Sequence, residues 1–142
     1  MDMILICRDA LEDSVIGNVA VALEAKKAGQ DVGILFTQEA LAALAGEAFG
    51  WSPLFRNRAA RIKILANATA MGLEVADVKE KRSTDLFRLL KSVKELGISL
   101  MACPIWSKLL NVDGKLPQEI TPIDASTMFK ILQETRIIIG GF

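Results

Sequence analysis

Short, unbroken apolar runs mark the chain at intervals, and stretches with helical periodicity separate them. The runs that predict strands are MILIC (3–7), VGILF (32–36), LEVAD (73–77), ISLMA (98–102) and RIIIGG (136–141). Apolar runs of this length without polar alternation are typical of parallel strands that are buried on both faces. Parallel strands need long crossover connections, which the intervening helical stretches supply. We therefore expect an α/β fold, a three-layer α/β/α sandwich around a mostly parallel five-stranded sheet.

Residues that favour helix N-termini follow several of these runs. Asp9, with Glu12 three residues later, forms a capping-box pattern. The other predicted caps are Thr37, Ser83 and Asp124. The stretch ITPI (120–123) is a candidate edge strand.

Length and hydropathy bear on domain count and assembly. A chain of 142 residues is the usual size of a single domain, so we expect one domain over 1–142. Hydrophobic residues make up 51% of it, and its mean hydropathy is +0.34. Such an apolar chain favours burial of surface against a partner or a second copy, so we expect a homo-oligomer, a trimer or a multiple of one.

The charge balance and the apolar runs bear on partners and location. Seventeen basic and seventeen acidic residues give no net charge, whereas nucleic-acid binders usually carry a basic excess, so no nucleic-acid partner is expected. The first residues, MDMILIC, lack the positive region of a secretory signal, and no apolar run reaches membrane-spanning length. The cytoplasm is the expected location.

Absent residue types narrow the chemistry. The chain has no histidine, which excludes Ser-His-Asp triads, Cys-His pairs and histidine metal sites. Two cysteines are too few for a thiolate zinc site, and neither a dinucleotide-binding glycine motif nor a phosphate-loop motif occurs. No metal and no cofactor is therefore expected, and any reaction rests on thiols, carboxylates, amines, hydroxyls or backbone amides.

Cys103 lies where a predicted strand meets a predicted helix. Ligands of parallel sheets bind beyond the carboxyl ends of the strands, where Cys7, Thr37 and Cys103 are predicted to lie. Pro104 is suited to the first position of a helix, which makes Cys103 the cap residue. The free N–H groups and positive dipole end of a helix N-terminus stabilise a thiolate and lower a cysteine pKa. Cys103 is therefore the candidate catalytic residue.

Two interpretations of each cysteine remain open. A cysteine in an apolar run is commonly a small buried filler, and for Cys7 we favour that structural role, because Asp9 is the better cap beside it. The two thiols would approach each other if their strands were neighbours. Around Cys103, a Cys-x-x-Cys redox pair is missing, and Leu100 stands where peroxiredoxins have threonine, which argues against a thiol peroxidase.

Three stretches resemble the DsrE/DsrF-like family, including its members labelled peroxiredoxin family proteins. They are GISLMACPIWSKLLNV (97–112), ITPIDASTMFKILQETRIIIGGF (120–142) and NVAVALEAKKAGQDVGILFTQEAL (18–41). The resemblance covers nearly the whole chain, and the Ala102-Cys103 joint is its most diagnostic part. It implies a parallel α/β sandwich, oligomeric assembly and a sulfur-relay role. By that resemblance, Cys103 accepts sulfane sulfur as a persulfide and passes it from a donor protein to an acceptor.

Several other residues are candidates for supporting roles. Thr37, Pro104, Ser107 and Lys108 are candidates for binding a substrate or an anion near the thiol. Trp51, Leu54 and Phe55 form an apolar loop within 47–63 that either covers the edge of the core or serves as a subunit interface or a flap over the thiol. KEKRS (79–83) predicts a solvated loop.

Two functions from different classes therefore compete. The first is a cysteine-based sulfur carrier or sulfurtransferase acting through Cys103. The second is a non-enzymatic oligomeric scaffold or small-ligand-binding module on the same fold, with Cys103 idle, because a fold does not by itself define a function.

Overall fold

A computed structural model describes residues 1–46, 48–75 and 85–142 of the chain. Its strands are β1 (Met3–Cys7), β2 (Val32–Phe36), β3 (Ser99–Ala102), β4 (Thr121–Pro122) and β5 (Ile137–Gly140). Its helices are α1 (Glu12–Lys27), α2 (Gln38–Leu44), α3 (Arg58–Ala70), α4 (Leu86–Glu95), α5 (Pro104–Leu110) and α6 (Ala125–Glu134), with a 3-10 turn at Pro53–Phe55. In the described ranges, no helix is both long and apolar enough to span a membrane.

The strands form one sheet in the order β4-β3-β2-β1-β5, and every neighbouring pair is parallel. Cys7 at the end of β1 pairs with Phe36, and Phe36 pairs with Ala102 at the end of β3. The carboxyl ends of these three strands therefore lie along one edge of the sheet. The predicted α/β sandwich with a five-stranded parallel sheet is confirmed.

The chain order of the strands explains how the helices divide between the two faces. From β1 to β4 the chain advances across the sheet in one direction, and right-handed crossovers place those connecting helices on one face. The connection from β4 to β5 returns across the sheet, so α6 packs on the opposite face. A large core cluster, which includes residues of α1 and α4, lies on the first face, and a smaller cluster lies under α6.

Successive strand residues alternate between these two clusters. Leu5 and Leu100 belong to the large cluster, whereas Ile4 and Met101 belong to the small one. This alternation follows from the two-residue period of a strand. Because both faces are buried, the strands show the unbroken apolar runs of the sequence.

The prediction of a strand at 73–77 is wrong for residues 73–75, and residues 76–77 lie outside the described part. Leu73 and Val75 are buried in the large cluster without strand pairing, and β2 pairs directly with β3. The Leu73 N–H donates to the Ala68 carbonyl at 3.0 Å and closes the end of α3. Burial in the core without strand pairing thus explains an apolar stretch that resembles a strand. The candidate edge strand at 120–123 is confirmed as β4.

The predicted cap of α1 is also wrong. The helix begins at Glu12, Leu11 holds the cap position, and Asp9 is exposed. The Glu12 N–H donates to the Gly50 carbonyl at 2.8 Å, and the Gly50 N–H donates to the Ala10 carbonyl at 2.9 Å. A segment about forty residues away in sequence therefore satisfies the helix N-terminus that Asp9 was expected to cap.

The other predicted caps differ in outcome. Asp124 caps α6, with its carboxylate accepting from the Thr127 N–H at 2.7 Å. Thr37 holds the cap position of α2, but among the described residues its hydroxyl makes no capping hydrogen bond. Asp85 caps α4, while Ser83 and the KEKRS stretch lie outside the described residues.

Candidate functional site

Cys103 lies at the junction of β3 and α5, on the carboxyl edge of the sheet. Its N–H donates to the Phe36 carbonyl at 2.9 Å, which extends the pairing of β2 with β3 by one residue. Its backbone is extended, with φ −61° and ψ 121°, and Pro104 is the first residue of α5. The prediction that Pro104 begins a helix and leaves Cys103 at the cap is confirmed.

The Cys103 side chain is enclosed on the α6 face of the sheet. Only 6% of the residue is exposed, and it belongs to the small cluster with Ile4, Leu35, Met101 and Met128. Within the described ranges the thiol makes no capping hydrogen bond to the first turn of α5. The surroundings of the sulfur are therefore apolar, and a reaction partner reaches it only after neighbouring side chains move.

Ser107 supports the backbone at this junction. Its hydroxyl donates to the Cys103 carbonyl at 2.8 Å, and its N–H donates to the same oxygen at 2.9 Å. The side chain is buried, so its hydroxyl proton is committed to the first turn of α5. Ser107 therefore holds the backbone of Cys103 in place, and its hydroxyl proton is not available to a ligand.

A cleft of about 360 Å³ opens beside this junction. Its lining residues are Pro104, Ser107, Lys108, Asp113, Pro122, Ile123, Asp124 and Ala125. Three of the four residues that the sequence nominated for substrate or anion binding therefore meet in one cleft. Thr37 is not among the lining residues, and its N–H donates instead to the Cys7 carbonyl at 3.0 Å.

The sequence analysis missed two features of this cleft. Asp113 and Asp124 place two carboxylates in the same cleft as Lys108, although Asp124 was recognised as a helix cap. Ile123 lines the cleft and also packs against the small cluster that contains Cys103. Ile123 and Asp124 follow β4, and the pairing of β4 with β3 brings them to α5, whereas Asp113 lies in the loop directly after α5 and was within reach of local sequence reasoning.

Cys7 occupies a different environment. It is buried in the large cluster, and burial raises the pKa of its thiol from 9.0 to about 12. The negative charge of Asp9 raises this pKa as well, whereas a hydrogen bond with the Ser14 side chain opposes the shift. A thiol with this pKa is protonated at neutral pH and is a poor nucleophile, because the thiolate is the reactive form.

The two cysteines are not placed to react with each other. Both lie in described ranges and both are free thiols. The strand β2 separates β1, which ends at Cys7, from β3, which precedes Cys103. The strands β1 and β3 are therefore not neighbours, so the two thiols do not approach each other.

The loop that contains Trp51 is anchored to α1. Asp13 accepts hydrogen bonds from the N–H and the hydroxyl of Ser52, the former at 2.8 Å. Trp51 is 8% exposed and belongs to the large cluster, whereas Leu54 is 83% exposed and Phe55 is 39% exposed. Within the chain, Trp51 thus covers the edge of the core, and Leu54 and Phe55 are the side chains that remain accessible.

Glu12 lies between this loop and α3. Burial raises the pKa of its carboxyl above the ordinary value, and the nearby charge of Asp13 adds to the rise. A hydrogen bond with the Trp51 side chain and the positive charge of Arg61 oppose it. Burial outweighs the favourable partners, so the fold disfavours the ionised form of Glu12.

Comparisons with known proteins and a search for metal ligands add no further site. The chain matches no protein-family model, and the search of curated proteins finds no match. Among the residues that the structure describes, no group of three or more cysteine, aspartate or glutamate side chains is placed to hold a metal ion. The resemblance to DsrE/DsrF-like proteins therefore depends on the sequence motifs alone and stays a prediction.

Proposed function

We propose that the protein is a cysteine-based sulfur carrier that holds sulfane sulfur as a persulfide on Cys103 and passes it to a partner. The observation that carries this proposal is the placement of a free thiol between the end of β3 and the first turn of α5, one residue from an open cleft. Cys103 holds the cap position of α5, although within the described residues its thiol makes no hydrogen bond to the first turn. Cys7, with a pKa of about 12, is unsuited to the same role.

The reaction requires no histidine. The Cys103 thiolate attacks the terminal sulfur of a persulfide donor, the S–S bond of the donor breaks, and the donor leaves as a thiol. A thiolate of an acceptor protein then attacks the terminal sulfur on Cys103 and regenerates the thiol. Because only thiols and persulfides exchange, the cycle consumes no oxidant and no cofactor.

A homo-oligomer, a trimer or a multiple of one, is part of the proposal. Several large apolar side chains are exposed in the single chain: Leu54, Phe55, Ile105, Leu109, Phe129, Ile137, Ile138 and Phe142. Ile105 and Leu109 lie one turn apart on α5, directly after the thiol. Contact with a further copy or with a sulfur-exchange partner would cover such side chains.

The burial of Cys103 favours a second candidate function. A thiol that is 6% exposed and packed among Met101, Met128 and Leu35 also suits an idle core residue. The protein would then be an oligomeric scaffold or a small-ligand-binding module that uses the cleft without thiol chemistry.

Intact mass spectrometry of the protein purified without reductant separates these functions. A sulfur carrier is expected to retain an added sulfur atom on part of the population, and dithiothreitol should remove it. Peptide mapping should locate the addition on Cys103. If no preparation carries added sulfur and no persulfide donor introduces it, the scaffold or ligand-binding function replaces the carrier.

A further inference from the structure

The cleft beside α5 carries charges of both signs. Lys108 supplies one cation, and Asp113 and Asp124 supply two carboxylates. Hydrogen bonds from the side chain and the backbone N–H of Thr127 hold the pKa of Asp124 below its usual range, so this carboxylate is ionised at neutral pH. Two carboxylates against one lysine disfavour a multiply charged anion, and they match a small ligand that bears an ammonium and a carboxylate.

The rest of the lining is mainly apolar and extends toward the thiol. Pro104, Pro122 and Ile123 contribute apolar surface, and Pro104 directly follows Cys103. A mixture of apolar walls with a few charged groups is typical of small-molecule sites. The volume of the cleft, about 360 Å³, falls in the range of small-molecule sites.

Ile123 lines the cleft and also packs against the small cluster that contains Cys103. On its far side lies an apolar gap too narrow for a water molecule, lined also by Met101, Met128 and Ile131. Met101 and Met128 are members of the cluster that encloses Cys103. Displacement of the Ile123 side chain would therefore join the cleft to the surroundings of the thiol.

The backbone at Ile123 is attached to the sheet by few interactions. The preceding strand, β4, has two residues and pairs on one side only, through Met101 with Thr121 and Ala102 with Pro122. Short edge strands with few buried contacts open locally at low free-energy cost. Movement at Ile123 thus requires little disruption of the core.

We propose that this cleft binds a small zwitterionic persulfide of the amino-acid type and that Ile123 is the gate through which it reaches Cys103. The inference rests on the proposed function and names its donor class. Lys108 pairs with the donor carboxylate, and Asp113 and Asp124 pair with its ammonium group. The Cys103 thiolate forms an S–S bond to the terminal sulfur of the donor. The S–S bond of the donor breaks, and its inner sulfur leaves with the proton from the terminal sulfur as a thiol.

The gate is tested by the alkylation rate of Cys103 with iodoacetamide, followed by mass spectrometry in the native protein. Ile123→Ala should accelerate this alkylation about tenfold, because it removes side-chain bulk between the cleft and the cluster that contains the thiol. Ile131→Ala is the matched control, since it loosens the same gap without lining the cleft. Equal acceleration in both variants, or no acceleration in Ile123→Ala, would overturn the gate.

The ligand class is tested by protection of Cys103 in Ile123→Ala, a reporter that needs no sulfur transfer. S-methylcysteine should slow alkylation, whereas 3-(methylthio)propanoate and 2-(methylthio)ethylamine, which each carry one of its charges, should protect less. Lys108→Met and Asp113→Asn should each weaken protection by about two- to fivefold, the usual effect of one exposed ion pair. Protection that is equal for all three compounds, or unchanged in both charge variants, would overturn the zwitterion site.

These readouts separate the inference from the proposed function. If Cys103 is not a sulfur carrier, no donor loads sulfur onto it. The alkylation rate of Cys103 and its slowing by S-methylcysteine can still be measured in that case. If the inference alone fails, sulfur loads onto Cys103 at the same rate from zwitterionic, anionic and cationic persulfides, and the Lys108 variant loads normally.

Discussion

Cys7 and Cys103 lie on opposite faces of the sheet, and β2 runs between the strands that position them. Cys7 packs in the large cluster with α1, and Cys103 packs in the small cluster under α6. The two thiols therefore act independently, and a redox pair between them is excluded without rearrangement of the core.

This separation predicts the outcome of mild oxidation. Treatment of the native protein with an oxidant should produce no Cys7–Cys103 disulfide, because the sheet prevents the required approach of their β-carbons. Non-reducing peptide mapping measures this directly, and Cys7→Ser should give the same pattern of oxidised species as the wild type. An intramolecular Cys7–Cys103 link in folded protein would contradict the arrangement of the strands.

The pKa of Cys7 predicts a loss of stability in alkali. The Cys7 thiol has a reference pKa of 9.0, which represents the unfolded chain, and a pKa of about 12 in the folded protein. Between pH 9 and pH 12 the unfolded chain therefore binds fewer protons than the native state. The contribution of the protonated Cys7 thiol to the free energy of unfolding is fully present below pH 9 and is lost as the pH rises through 12. The loss approaches about 1.4 kcal/mol per pH unit at most.

Urea unfolding from pH 7 to pH 10.5 checks this expectation. Other groups also titrate in this range, so the informative quantity is the difference between the wild type and Cys7→Ala. The variant should be less stable at pH 7 because of the cavity, and the gap between the two should narrow above pH 9. A constant gap across the range would show that Cys7 ionises normally.

Because the pKa of Glu12 is raised, we expect its replacement to stabilise the protein by an amount that depends on pH. The folded environment disfavours the ionised carboxyl, so its contribution to stability is present in acid and is lost as the pH rises through the folded-state pKa. Glu12→Gln should therefore increase the free energy of unfolding more at pH 7 than at pH 4.

A comparison for this prediction is Asp13→Asn, which removes the charge of a neighbouring carboxylate that accepts hydrogen bonds from Ser52 and that adds to the rise of the Glu12 pKa. Asp13→Asn should lower stability at pH 7, because a neutral amide replaces a charge-assisted acceptor. If Glu12→Gln increases stability equally at pH 4 and pH 7, ionisation of Glu12 does not explain the increase.

The exposed apolar side chains predict a homo-oligomer, a trimer or a multiple of one. Sedimentation equilibrium at low micromolar concentration should report this assembly for the wild type. Leu54→Ser combined with Phe55→Ser should weaken it, since both side chains are accessible and belong to the loop that the sequence predicts as an interface. A monomer at these concentrations would contradict the oligomer and leave the exposed residues to another partner.

The sequence predicted the strands where apolar runs coincide with sheet pairing, and it failed where the same pattern has another cause. Leu5 and Leu100 are buried residues of paired strands, and their runs were interpreted correctly. Leu73 and Val75 are equally buried, but neither belongs to a strand. An apolar run indicates that a segment is buried, but it does not indicate whether its backbone groups pair with a neighbouring strand.

The errors at the helix caps and the cleft share a long-range cause. Asp9 has the right spacing for a cap, yet Gly50 satisfies the same helix end from a distant segment. Pro104 was placed correctly because its preference for the first turn is local. Ile123 reaches the cleft through the pairing of β4 with β3 in the sheet, which the pattern of apolar runs does not reveal.

The central claim is that Cys103 carries sulfane sulfur and Cys7 does not. The most direct measurement is incubation of the protein with a persulfide donor, rapid alkylation, and mapping of the added sulfur by mass spectrometry in wild type, Cys103→Ser and Cys7→Ser. The account predicts an added sulfur on Cys103 in the wild type and in Cys7→Ser, and none in Cys103→Ser. Equal loading of Cys103→Ser, or no loading of the wild type by any of several donors, would contradict it.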